Sequence, residues 1–369
     1  MDTISAARAL MLGRLERTLA DRLPGFPHFA DPRTGEWTTT PDGDWTGGHF
    51  VGQLWLAAAR DERFLGAARE YSARLDGREH SPTIFRGFLF HYGALLGGRL
   101  VGDEGAWDRA VRGAEGLMKA YNPAAGLVPL GTAAEEAHSV GDSETSIDAV
   151  GAVVSLLTAV ADRVADPAMT EAAASHALRH IEICVRSDGS VCQSGTVDAD
   201  TGAIVRRYSH KGFSAESTWA RAQAWAMLAF AMAAHRLPGR PELLYTAIGV
   251  ADWWSAHVPD DLVAYWDFDD PGTVRDTSST AIAAAALLKL AELVTDGEPY
   301  RLLARRTVQA LIGDYMRTVP GMPPSIRILG QGCYNKLIGL ATAHELVWGD
   351  YYLTEALSVL AGELDPLSV

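Results

Sequence analysis

Apolar residues recur along most of the chain at three- and four-residue intervals, as in Ala149, Val153, Leu156, Leu157 and Val160. Side chains spaced in this way share one face of an α-helix. The pattern predicts helices over residues 4–20, 48–60, 62–76, 84–100, 104–120, 145–162, 167–185, 216–235, 240–257, 278–293, 297–317, 335–348 and 352–362. Links such as Asp166-Pro167, Leu237-Pro238-Gly239 and Asp365-Pro366 separate them, because Pro and Gly interrupt a helical backbone. Residues 186–209 break the period: two β-favouring runs flank Asp198-Ala199-Asp200-Thr201-Gly202, which predicts a small β-hairpin insertion. No linker or compositional break divides the chain, so residues 1–369 are expected to form one all-α domain of stacked helical hairpins. The periodicity does not say whether those hairpins close into a ring.

Composition narrows the function more than the fold. Hydrophobic residues make up 48 % and charged residues 21 %, an ordinary balance for a chain with a large core. No apolar run reaches the ~18 residues that a membrane span needs. The N-terminal segment interleaves Arg8, Arg14, Glu16 and Arg17 with apolar residues and has no leader-like apolar run, so a cytoplasmic location is expected. Cys184, Cys192 and Cys333 have no metal-ligand spacing, and an odd count does not fit a disulfide framework. Neither a metal nor a cofactor is expected. A net charge of −14 argues against nucleic-acid binding. An anionic small substrate would have to meet a local basic group, because the global field opposes it. The sequence does not set the oligomeric state; a homodimer is one expectation.

Four segments concentrate aromatic and polar residues. In Gly43-Asp44-Trp45-Thr46-Gly47-Gly48-His49-Phe50, Trp45 suits either a flat wall for a sugar ring or a plug under the loop. In Ser143-Glu144-Thr145-Ser146-Ile147-Asp148, Asp148 suits either a first-turn residue complementing the helix dipole or an acid facing a cleft beside aromatics. The densest segment runs from His210-Lys211-Gly212-Phe213 through Trp219-Ala220-Arg221-Ala222-Gln223-Ala224-Trp225. On a helix it sets Arg221 beside Trp225, and Trp219 beside Gln223. An Arg fork there suits a sugar carboxylate, and equally a buried acid in the core. The fourth is Tyr265-Trp266-Asp267-Phe268-Asp269-Asp270 with Arg275-Asp276-Thr277-Ser278. Trp266 and Asp267 are site candidates there, while Asp276 and Ser278 read as helix caps. Its three acids lack the Gly and terminal Glu of a calcium loop.

These segments, in this order and with the closing Trp348-Gly349-Asp350-Tyr351-Tyr352, resemble the unsaturated glucuronyl hydrolases (glycoside hydrolase family 88), relatives of the unsaturated rhamnogalacturonyl hydrolases. The resemblance covers roughly residues 40–360. It implies an (α/α)6 toroid that removes a Δ4,5-unsaturated uronic acid from an oligosaccharide by hydrating its vinyl ether. Asp148 matches the family's general acid and base. Trp45, Arg221 and Trp225 match the sugar pocket, and Tyr334 falls where the family has a site tyrosine. His49, Trp219, Gln223 and Trp266 complete the expected binding set.

Three departures alter that pocket. Phe85, preceded by Ile84, stands where the family carries a second Asp preceded by His. His210-Lys211-Gly212-Phe213 replaces His-Gln-Gly-Tyr, and Gln331 replaces a late His. A divergent enzyme acting on a modified sugar or a specialised-metabolite glycoside, and a non-catalytic sugar-binding protein, are therefore the alternatives. Sugar 2-epimerases share the ring architecture, but His138, His176 and His180 stand in no acid–base motif.

Overall fold

The computed structural model describes residues 3–134 and 141–369. His138 lies outside the described residues. The α-helices are α1 (Thr3–Ala20), α2 (Gly47–Ala58), α3 (Leu65–Ala73), α4 (Arg86–Phe90), α5 (Leu96–Val101), α6 (Glu104–Ala120) and α7 (Val150–Val164). They continue with α8 (Pro167–Cys184), α9 (Ala220–Arg236), α10 (Pro241–His257), α11 (Thr277–Leu293), α12 (Glu298–Ala310) and α13 (Val347–Leu360). A π-helical turn at His91–Leu95 joins α4 to α5, so the two act as one rod.

Their contacts close a ring. The inner circuit runs from α2 to the α4–α5 rod, then through α7, α9, α11 and α13, which returns to α2. Outside it, α3 packs on α2, α6 on the α4–α5 rod, α8 on α7, α10 on α9, α12 on α11 and α1 on α13. This is the (α/α)6 toroid. Burial explains the two layers: every residue of α7 from Val150 to Ala161, and of α9 from Ala220 to Ala233, is buried. A helix apolar on all sides can only sit inside. By contrast α6 buries only the stripe Ala106, Ala110, Gly113, Ala114, Gly116 and Leu117, and shows its other face to water. Gly48 lets α2 approach α4 closely, since a Cβ there would lie 2.4 Å from the Phe88 carbonyl oxygen.

Short strands cap the ring. β1 (Phe26–Ala30) lies between β2 (Trp37–Thr40) and β8 (Glu345–Leu346); β6 (Met316–Thr318) pairs with β7 (Arg327–Leu329). The third sheet has the order β3 (Glu144–Ser146), β4 (Ser194–Val197), β5 (Ile204–Tyr208). Its β4–β5 arm is the expected hairpin, turned at Gly202 with φ +71°.

The structure corrects the sequence in three places. The helix expected from residue 145 starts at Val150, because Glu144–Ser146 pairs antiparallel with β4 instead. No helix spans 335–348: Asn335 bridges to Leu340, Gly339 and Ala341 take positive φ (+68° and +48°), and Leu337 and Ile338 point to solvent. The helical run begins only at Val347. The helix expected to reach 317 gives way to a π turn at Leu311–Tyr315 and then to β6.

Candidate active site

Three strand ends build the site. The register Ser146↔Ser194↔Tyr208 across β3, β4 and β5 sets the residues just beyond those positions side by side. The backbone leaving β3 carries Asp148, the residue entering β4 is Gln193, and the backbone leaving β5 carries His210 and Lys211. The Ile147 amide donates to the Gln193 carbonyl (3.0 Å), which ties the first two together. Asp148 Oδ2 accepts a hydrogen bond from Gln193 Nε2 at 3.1 Å. Asp148 precedes α7 without serving as its N-cap, which is Ala149. It lies in the wall of a recess.

That recess is lined by Trp45, Phe85, Phe88, Asp148, Lys211, Trp219, Arg221 and Trp225. Phe85 and Phe88 stack with centroids 6.0 Å apart, and Phe88 leans on Trp225 at 5.0 Å. Trp45 lies nearly parallel to Tyr334 at 6.2 Å and donates its indole N–H to the Tyr334 hydroxyl at 3.3 Å. Lys211 places Nζ 4.8 Å from the centroid of the Tyr334 ring, a cation–π geometry. Asp148 and Lys211 are 8 % and 4 % exposed, so both charges meet a largely water-excluded space. There a charge-assisted contact counts for more than in water.

Arg221 contributes differently. Its guanidinium donates to Asp276 Oδ2 (3.0 Å), Ser278 Oγ (3.3 Å) and the carbonyls of Cys333 and Tyr334 (2.6 Å each). It also lies 4.5 Å above the Trp219 ring. Asp276 in turn caps α11 through the Ser278 amide and accepts from the Cys333 amide at 3.1 Å. Arg221 thus fastens the segment carrying Tyr334 to α9 and α11, and it also lines the recess.

The remaining expected residues fall around this centre. His49 is fully buried against Tyr92, Phe88 and Trp225. Burial lowers its pKa to about 3, so the ring is neutral. His210 donates its peptide N–H to Gln193 and borders a neighbouring cleft with Glu144, Thr196, Arg206 and Tyr208. Gln223 turns away from the recess, its amide donating to the carbonyls of Gly189 and Val250. Trp266 donates to Asp270, beside which Lys336 is paired. Gln331 acts through its backbone: with φ +62° it accepts from the Thr277 amide and donates to the Ala343 carbonyl. Asp267 is buried and accepts from the Phe213 amide and the Ser217 hydroxyl, which pins the loop that presents Lys211. Burial raises the Asp267 pKa against those hydrogen bonds. His176 and His180 lie under the third sheet, with His176 Nδ1 accepting from Val128 and His180 Nε2 bonded to Thr145.

Phe88 and Gln193 carry no signal in the sequence. Phe88 looks like any core aromatic. Gln193 sits in a short polar link, where only the strand register reveals that it meets Asp148. A larger groove of about 170 Å³ lies outside the ring, between α1, α2 and α13. Arg8 and Arg60 both pair with Glu363 at its rim, and Asp61 pairs with Arg63, which leaves mainly apolar walls.

No family model matches the sequence. An unsaturated glucuronyl hydrolase of Bacillus sp. (strain GL1) is 32 % identical over 363 residues, covering 94 % of this chain and 93 % of that one. An unsaturated chondroitin disaccharide hydrolase of Streptococcus agalactiae serotype III (strain NEM316) is 27 % identical over 330 residues, covering 85 % of this chain and 80 % of that one. The crystal structure of the unsaturated glucuronyl hydrolase from Bacillus sp. GL1, responsible for the degradation of glycosaminoglycan, aligns with a TM-score of 0.86 at 29 % identity over 96 % of both chains.

Proposed function

The chain belongs to the unsaturated glucuronyl hydrolase family, and from that premise we propose that it hydrolyses Δ4,5-unsaturated uronosyl sugars in the recess around Asp148. The observation that carries this reading is one acid and one ammonium, Asp148 and Lys211, sharing one recess walled by Trp45, Phe85, Phe88, Trp219 and Trp225. The aromatic faces would pack against the C–H faces of the ring, and Lys211 would bind its carboxylate.

In this reading Asp148, as the carboxylic acid, gives its proton to C4 of the C4=C5 double bond. Positive charge develops at C5 and the ring oxygen. Water adds to C5 and returns a proton to the Asp148 carboxylate. The C5 hemiketal then opens by breaking its bond to the ring oxygen, and the hemiacetal left at C1 expels the aglycone as an alcohol. One water is consumed and Asp148 is regenerated. General acid–base catalysis of this kind contributes about 10²–10⁴-fold.

The family's second carboxylate is absent here, because Phe85 fills that part of the wall. This favours a ring or aglycone less hydroxylated than usual as a second reading on the same scaffold. A panel of unsaturated disaccharides differing in aglycone and sulfation tests both. Hydration destroys the conjugated enol ether, so its ultraviolet absorbance should fall. Loss on glycosaminoglycan-type substrates supports the first reading, and loss confined to poorly hydroxylated glycosides supports the second. No loss on any of them counts against both and leaves a sugar-binding role.

The whole chain is proposed to act as one unit, without a cofactor. A cytoplasmic setting belongs to the same reading; the three cysteines, buried as free thiols, support it. Among the described residues no helix is long and apolar enough to cross a membrane. Sedimentation equilibrium would test the expected homodimer.

A further inference from the structure

Gln193 is fully buried, and its amide is held at both ends. Oε1 accepts the peptide N–H of His210 at 3.1 Å and of Lys211 at 2.9 Å. Nε2 donates to Asp148 Oδ2 at 3.1 Å. Two peptide donors on one atom fix that atom as the oxygen, since a flipped amide would turn its NH2 group against them. An N–H therefore has to face Asp148. The backbone that carries it is fixed as well, because the Gln193 carbonyl accepts from the Ile147 amide and the flanking Ser194 is paired in the sheet.

We propose that Gln193 is the positioning residue of this enzyme: one rigid amide orients the Asp148 carboxyl and, through its other end, fixes the turn that presents Lys211. The inference rests on the hydrolase reading above and says how the acid is held where Phe85 has replaced a carboxylate. Two neighbouring carboxyls would share a proton through mutual repulsion. An amide takes no part in such sharing. It donates to the carboxylate that forms when Asp148 gives up its proton, so the interaction strengthens as the reaction proceeds. An interaction gained in this way appears in kcat and leaves KM alone. The grip on Lys211 acts on the bound carboxylate and so appears in KM.

Two substitutions separate the two ends. Gln193→Glu keeps an acceptor for both peptide N–H groups and replaces the donor facing Asp148 with a second carboxyl oxygen. Gln193→Met removes both ends while keeping the length. Rates on an unsaturated disaccharide that the wild type consumes are expected to show kcat lowered about 10- to 100-fold in Gln193→Glu, the range of a hydrogen bond to a charged group, with KM within about twofold. Gln193→Met is expected to lower kcat and raise KM together.

Wild-type kcat in Gln193→Glu would overturn the proposal, because the residue would then be only a clamp on the 210–211 turn. A change in KM alone would overturn it too. If the introduced carboxyl prevents folding, Gln193→Met decides: the proposal needs both constants to move, and a raised KM with unchanged kcat refutes it. A wild type inactive on every unsaturated uronide refutes the hydrolase reading and this inference with it. An active wild type with an indifferent Gln193→Glu refutes the inference alone.

Discussion

Replacing Arg221 with Met distinguishes an arginine that binds substrate from one that holds the site together. The guanidinium is 1 % exposed and makes four hydrogen bonds, one of them in an ion pair with an Asp276 side chain of 0 % exposure. Removing one partner of a buried pair leaves an uncompensated charge and costs about 3–5 kcal/mol. An unfolding entropy of about 2.1 cal/mol/K per residue over 369 residues comes to roughly 0.8 kcal/mol/K. The expected fall in Tm is therefore about 4–6 °C, read by circular dichroism or calorimetry. Activity should fall as well, because the Tyr334 backbone loses its anchor. Pairing the change with Asp276→Asn removes both charges and should recover part of the loss, a coupling of about 0.5–3 kcal/mol. An unchanged Tm together with a large rise in KM would refute this account and return Arg221 to carboxylate recognition.

Lys211→Gln should raise KM for an unsaturated uronide about tenfold or more, as expected for a charge-assisted contact of ~1.5–3 kcal/mol; steady-state kinetics would show the opposite assignment if kcat alone fell. Acid should destabilise the fold through its buried histidines. Burial lowers the pKa of His49 to about 3 and of His180 to about 4, and pushes His91 and His176 well below their ordinary value. The unfolded chain then takes up protons below pH ~6.5 that the folded chain refuses, so stability present above that pH is lost as pH falls toward 4 and 3. Burial raises Asp267 and Asp350, whose protonation works in the opposite direction. Four histidines outnumber the two acids, so the net effect of acid is a loss of stability. A urea midpoint unchanged between pH 7.5 and 5 would contradict this.

Helices were legible wherever one face or a whole segment is apolar, since α7 and α9 bury nearly everything they contain. Periodicity misled at 335–348, where Leu337 and Ile338 mimic a helical face but find nothing to pack against. It misled again at Glu144–Ser146, whose conformation is set by pairing with residues some fifty positions away. The site was partly legible. Trp45, Phe85, Asp148, Lys211, Trp219, Arg221 and Trp225 do meet at one recess. Arg221 was open to two readings because its acid, Asp276, lies 55 residues along the chain. Gln223 shares a helical flank with Trp219, yet its amide is claimed by Gly189 and Val250 across the interface with α10. Gln193 could be recognised only once the strand register was known.

The most direct test of the central claim is the rate at which Asp148→Asn bleaches the ultraviolet absorbance of an unsaturated disaccharide that the wild type consumes. The account requires a fall of about 10²–10⁴-fold, with the melting temperature held. A variant that keeps its rate within a few-fold of wild type would remove Asp148 from the chemistry.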